Sequence, residues 1–155
     1  MSRFWLALCV GAVLACAGSA VADTSLTAYG VSWDGDDPGR GAGLRVRKTF
    51  LAFMAVEGRT GYVEFSDSNT ELIPAEISVV GRIPFVISPY AGIGTGYYFV
   101  ESDTPGKDDF SGGFAQLGVE ASLLWFGAMA EIRYYEMEES YWDGTAYNLG
   151  LFLKL

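Results

Sequence analysis

The chain has 155 residues, a net charge of −9 at pH 7 and no histidine. So acidic a chain lacks the basic surface that nucleic acid requires, which excludes nucleic-acid binding as its function. Half of the residues are hydrophobic and 15% are aromatic, but no run of about 18 apolar residues occurs beyond residue 22, which excludes a membrane-spanning helix there.

The first 22 residues have the pattern of a secretory signal. Arg3 precedes an apolar run over residues 4–17, and small residues at Ala20 and Ala22 come just before Asp23. We therefore expect residues 1–22 to be a cleaved signal peptide and residues 23–155 to form one domain. Residues 13–16, Val-Leu-Ala-Cys, leave open an alternative in which Cys16 carries a lipid.

Eight segments with alternating side chains follow in chain order. They are residues 24–33, 42–49, 51–65, 75–85, 89–101, 114–124, 128–137 and 147–155. Alternation with period two predicts β-strands. The connections near 34–41, 66–74, 102–113 and 138–146 are long and polar, whereas those near 49–51, 85–89 and 124–128 are short. This rhythm predicts an all-β fold, an eight-stranded antiparallel up-and-down transmembrane β-barrel with tight turns at one rim and long loops at the other.

The two faces of these strands differ in chemistry. One face is apolar and aromatic, and we expect it to meet lipid; in the first strand this face is Tyr29, Val31 and Trp33. The other face combines glycines with charges of both signs. Eight strands enclose just enough space for side chains, so these charges should pair in a narrow lumen and not line a wide pore. The predicted lumen network comprises Arg45, Arg47, Glu57, Arg59, Glu76, Arg82, Glu120, Glu131, Arg133 and Lys154.

Aromatic residues are also expected at both membrane interfaces. The set toward the long-loop rim is Trp33, Tyr62 and Phe99, and the set toward the short-turn rim is Phe50, Phe85, Trp125 and Phe126. Two such girdles are typical of outer-membrane barrels.

The alternative to a membrane barrel is a secreted lipocalin-like ligand carrier, which would bury the apolar face. That alternative exposes Gly92, Gly94 and Gly96 on a strand exterior, where glycine weakens a strand without any gain in packing.

Three stretches carry a family resemblance: "SPYAGIGTGYYF" (88–99), "GVEASLLWFGAMAEIRYYE" (118–136) and "NLGLFLKL" (148–155). In these, the chain resembles the small outer-membrane barrels of Gram-negative bacteria, typified by the OmpA membrane domain, OmpX and OmpW-like proteins. The resemblance implies a location in the bacterial outer membrane, contact with its lipid, and recognition of the last strand by the barrel-assembly machinery. The residues that match the assembly signal are Asn148, Gly150, Leu153 and Leu155, with leucine at the end where phenylalanine is usual.

Some barrels of this size modify lipid with a catalytic histidine, which this chain lacks. A carboxylate pair, Glu120 with Glu131, leaves an enzyme acting on outer-membrane lipid as an alternative, although we expect both to neutralise lumen arginines. We therefore expect a structural or surface-interaction role with no catalytic residue, cofactor or bound metal. The long loops are acidic, and Asp34, Asp36 and Asp37 form at most a weak cation site. The sequence identifies no partner for these loops.

Overall fold

A computed structural model describes residues 23–35, 37–66, 70–102, 109–138 and 143–155. The expected signal peptide, residues 1–22, lies outside this part of the chain. Eight strands make up the fold: β1 (Thr24–Gly35), β2 (Gly39–Leu51), β3 (Met54–Phe65), β4 (Thr70–Arg82), β5 (Ile87–Ser102), β6 (Phe110–Leu123), β7 (Phe126–Met137) and β8 (Gly144–Lys154). The described residues include no helix that could span a membrane.

The strands form a closed barrel in chain order. Each strand pairs antiparallel with the next, and β1 pairs with β8, where Thr27 lies opposite Phe152. Backbone bonds close the seam at its end, because the Leu155 amide donates to the Thr24 carbonyl over 2.8 Å. Closure leaves no strand edge without a partner, which is what a β-structure in lipid requires. The predicted eight-stranded up-and-down barrel is confirmed.

The strands extend further toward the long-loop rim than the sequence predicts. Four of them begin three to five residues earlier than expected, at Gly39, Thr70, Phe110 and Gly144. Glycine, serine and threonine near these starts resemble loop composition. In the barrel, both neighbouring strands offer backbone partners there, so the hydrogen-bonded ladders continue.

Charged side chains point inward and apolar side chains point outward on most of the barrel. Arg45 is fully buried, whereas its neighbour Leu44 is 52% exposed, and on β5 Ile93 is 72% exposed. This arrangement contradicts the lipocalin-like alternative, which needs an apolar interior. The prediction for β1 was wrong, since Tyr29 and Trp33 are buried inside the barrel and Val31 is only partly exposed. These three residues therefore do not form a lipid-facing set, and Trp33 does not belong to the long-loop girdle.

Candidate functional site in the barrel interior

The half of the interior nearer the short turns holds a network of ion pairs centred on Glu57. Arg45 approaches the Glu57 carboxylate at 3.4 Å, Arg59 approaches it at 2.8 Å, and Arg47 also pairs with it. Glu120 bridges two of these arginines from β6, at 2.6 Å from Arg45 and 2.5 Å from Arg47. Five side chains from three strands thereby form one connected cluster.

A second group continues the network toward the long-loop rim. Arg59 also donates to both oxygens of Glu131, each over 2.6 Å, and therefore links the two groups. Arg133 forms an ion pair with Glu76 at 2.6 Å and approaches Glu131 at 3.8 Å. Together the two groups contain four arginines and four glutamates, so the formal charges cancel within the barrel. Such balance is needed, because an unpaired buried charge is strongly unfavourable.

Neutral polar groups complete the coordination of the carboxylates. Gln116 and Ser78 donate to Glu57 over 2.8 and 3.1 Å. The Tyr90 hydroxyl donates to Glu131 over 2.8 Å, and Asn148 donates to the same carboxylate over 3.1 Å. The carboxylates are therefore occupied as structural acceptors. Glu120 and Glu131, which were weighed as an acid–base pair, are each held by arginine and enclosed by protein.

Two residues of the predicted network lie apart from it. Arg82 is partly buried at the end of β4 and donates to the Ser88 hydroxyl over 3.4 Å. Lys154 is partly buried at the end of β8. Within the described chain, neither side chain forms an ion pair with the eight charges above. Both lie at the short-turn ends of their strands.

The half of the interior nearer the long loops is aromatic. The residue patterns of the sequence did not predict this composition. Trp33 stacks on Tyr135 with ring centroids 4.3 Å apart, and Tyr98 stacks on Phe110 at 5.2 Å. Phe65 packs on Trp33 edge-to-face. We call this group the aromatic layer: Trp33, Val63, Phe65, Leu72, Tyr98, Phe110, Phe114, Tyr135, Met137 and Ala146. The phase of β3 was an available signal, because Val63 and Phe65 continue the inward positions of Glu57 and Arg59.

The aromatic layer and the charge network contact each other directly. The Arg133 guanidinium lies over the Phe114 ring, 3.8 Å from its centroid, and donates to the Tyr135 hydroxyl over 2.5 Å. Tyr98 donates to Glu76 over 3.0 Å. A cavity of about 20 Å³ lies at this junction, room for roughly one water molecule. Side chains of the charge network and of the aromatic layer therefore occupy both halves of the described interior.

Glycines on inward positions accommodate rings from the adjacent strand. Tyr29 lies opposite Gly43, Tyr90 opposite Gly118, and Phe114 opposite Gly94. A Cβ at Gly43 would come within 2.5 Å of the Tyr29 ring, so only glycine leaves the necessary space. The rings that use this space come from the neighbouring strand.

The remaining predicted sites are at the rims. Asp34 is exposed at the end of β1 and Asp37 is buried, whereas Asp36 lies outside the described residues. The described part of the chain contains no group of three or more acidic, histidine or cysteine side chains placed to hold a metal ion. In the expected assembly signal, Asn148 and Gly150 point inward, while Leu153 and Leu155 are exposed on the outer face.

Several solved structures with the same fold are outer-membrane barrels of similar size. The outer membrane protein OprG from Pseudomonas aeruginosa superposes with a TM-score of 0.71 at 14% identity, covering 89% of this chain and 98% of that one. Neisserial surface protein A gives 0.67 at 12% identity, over 89% and 98% of the two chains. The N-terminal barrel domain of Pseudomonas aeruginosa OprF gives 0.65 at 12% identity, over 86% and 99%.

No protein-family model matches the sequence. No curated protein matches it either. The class of the fold follows from the structure: a closed antiparallel barrel, an apolar exterior around buried charges, and neighbours that share this architecture over nearly their whole length. An apolar exterior of this extent requires lipid, and the location that the fold indicates is the bacterial outer membrane. The chain has the fold of the small eight-stranded outer-membrane β-barrels.

Proposed function

We propose that this protein is a non-enzymatic outer-membrane barrel with a structural or surface-interaction role, and that its lumen conducts no ions. The packing of side chains in the described part of the interior supports the proposal. Ion pairs link β2, β3, β6 and β7 across one half, and the aromatic layer fills the other half. An ion crossing the barrel would have to separate ion pairs in the first half and stacked rings in the second.

The neighbours support this role at the level of the fold. One of them is named a surface protein, and the long loops of a barrel of this kind face the outside of the cell. With the interior occupied by its own side chains, the loops and the outer wall are the surfaces left for contacts. The proposed partners are outer-membrane lipid along the wall and the barrel-assembly machinery at β8.

An enzyme acting on outer-membrane lipid remains the second candidate, and the interior argues against it. Glu120 and Glu131, the carboxylates considered as its acid–base pair, are 4% exposed and each forms an ion pair with arginine. A lipid on the outer wall would not reach either carboxylate without opening the barrel. Deletion of the gene should leave the mass spectrum of lipid A and phospholipids unchanged; a missing modified species would restore the enzyme candidate.

Conductance in planar lipid bilayers tests the closed lumen. The purified barrel should add no stepwise current above that of lipid alone. A variant in which Trp33, Phe65 and Tyr135 are all replaced by alanine empties much of the aromatic layer and should leak measurably more. Reproducible single-channel steps from the unaltered protein would refute the closed lumen, while the surface role would stay open to a separate test on loop variants.

A further inference from the structure

The three turns at the short-turn rim are apolar. Residues 50–53, 83–87 and 123–126 form its three connections and the strand ends beside them, and these stretches contain no charged residue. Their large side chains are well exposed, among them Phe53, Phe85, Val86, Leu124 and Trp125. Turns that face water are normally rich in polar residues and glycine. We call these three stretches the turn rim.

Leu124 is an apolar residue of the turn rim at a position where the backbone conformation favours a different residue type. Leu124 and Trp125 are the two residues that connect β6 to β7, and Leu124 has a φ of 55°. Glycine or asparagine favours this left-handed region, and a leucine is strained there. The Leu124 side chain is 81% exposed, so contacts within the barrel do little to offset this strain. A contact with a molecule outside the barrel would offset it.

The height of the apolar wall places the turn rim at the membrane surface. On β5 the outward positions from Ile87 to Tyr97 are apolar except Thr95. Phe99 is the next outward residue, and the first acidic outward position is Glu101. Ten residues at about 3.3 Å each, tilted by about 40°, span about 25 Å, which is the height of the apolar band of such barrels. The lower edge of the band thus falls where β5 begins. No polar segment of β5 separates the acyl chains from the turn before it.

Charge is distributed unevenly between the two rims. The described acidic residues outside the network lie at the long-loop rim, except Asp23. The described basic residues outside the network lie at the short-turn end, as Lys48, Arg82 and Lys154, except Arg40. Lys48 is on an outward position of β2, where a basic side chain near exposed aromatic residues matches a layer of lipid phosphates above acyl chains. Arg82 and Lys154 continue the inward positions of β4 and β8.

We propose that the turn rim is a lipid-binding surface seated in the headgroup region of the periplasmic leaflet. Its apolar turns lie among the upper parts of the acyl chains, and Lys48 lies near phospholipid phosphates. The barrel is then placed asymmetrically in the membrane. Its strands end within the periplasmic interface, whereas at the other rim they continue past the membrane as a water-exposed collar around the aromatic layer.

Fluorescence quenching of Trp125 tests this placement. The chain has four tryptophans, and a mature-chain variant with Trp33 and Trp142 changed to phenylalanine retains Trp125 alone. In phosphatidylethanolamine–phosphatidylglycerol vesicles, lipids brominated near the headgroup should quench Trp125 more than lipids brominated near the bilayer centre. Aqueous iodide should quench it weakly. The matched variant that retains only Trp33, which is buried inside the barrel, should respond little to either brominated lipid.

Two other results would overturn the proposal. Strong quenching by iodide with weak quenching by both brominated lipids would place the turns in water. Protection from all three quenchers would mean that protein covers the rim.

Stability of two variants provides an independent test. Leu124→Asn relieves the backbone strain and removes the apolar side chain, so a lower urea midpoint in vesicles is expected if lipid contact matters more than strain. A higher midpoint would show that Leu124 makes no favourable contact. Lys48→Gln should lose more stability in vesicles containing phosphatidylglycerol than in phosphatidylcholine alone. Equal losses in the two lipids would refute the contact with phosphates.

Discussion

Replacement of Glu57 by glutamine tests whether charge balance holds the interior together. Glu57 pairs with Arg45, Arg47 and Arg59 and is fully buried. The substitution keeps the size of the side chain but leaves four buried arginines against three glutamates. Removing one partner of a buried ion pair costs about 3–5 kcal/mol. Because Glu120 and Glu131 still contact these arginines, we expect the lower end, about 3 kcal/mol, or roughly a 100-fold change in the unfolding equilibrium.

The assay is urea unfolding in phospholipid vesicles, followed by tryptophan fluorescence and by the altered gel mobility of the folded barrel. Glu64→Gln is the matched control, since Glu64 lies on the same strand but is exposed on the outer face, and its change should stay within about 0.5 kcal/mol. Adding Arg47→Gln to Glu57→Gln restores the charge balance and should recover part of the loss. A loss below about 1 kcal/mol in Glu57→Gln would refute the reasoning.

Three further substitutions address packing, surface charge and assembly. Gly94→Ala should destabilise the barrel by about 1–3 kcal/mol in the same urea assay, because its Cβ would come within 2.5 Å of the Ile77 carbonyl oxygen and overlap the Phe114 ring. Gly113→Ala is the control and should be neutral, because the nearest atom to its Cβ lies 3.8 Å away. Glu71 lies between Glu64 and Glu101 on adjacent strands, so Glu71→Lys should stabilise at low ionic strength by up to about 1 kcal/mol and lose this gain in high salt. Leu155→Phe should raise the fraction of barrel that the assembly machinery folds in cells, measured by gel mobility of the outer-membrane fraction, and an unchanged fraction would show that leucine serves equally well there.

The alternation of side chains in the sequence was sufficient to predict the strands and the barrel, because it can be recognised even in strands that contain few hydrophobic residues. On β2, β3 and β7 the charges also identified the inward face, since Arg45, Glu57 and Glu131 have no place in lipid. β1 has no charge until Asp34, and the prediction assigned its aromatic residues to lipid. Thr27, which accepts a hydrogen bond from Arg45 over 3.1 Å, was the inward residue that marked the other phase.

The aromatic layer was unpredictable for a related reason. The assumption that aromatic residues of a membrane barrel face lipid holds only at the height of the membrane. Trp33, Phe65 and Tyr135 lie near the long-loop ends of their strands, where an outward aromatic residue would face water and an inward one packs on its neighbours. The sequence gives no direct measure of where each strand leaves the membrane, and so the composition of the two halves of the interior emerges only from the three-dimensional register.

The closing seam between β1 and β8 also fixes where the chain could be opened. The end of β8 lies beside the start of β1 at the short-turn rim, joined through the bond from Leu155 to Thr24. A short peptide linker could therefore connect β8 directly to β1 while new termini are created in one of the polar connections at the opposite rim. All eight hydrogen-bonded ladders would persist in such a circularly permuted barrel. The eight strands form a closed ring, so the same strand pairs can form whichever strand comes first in the chain.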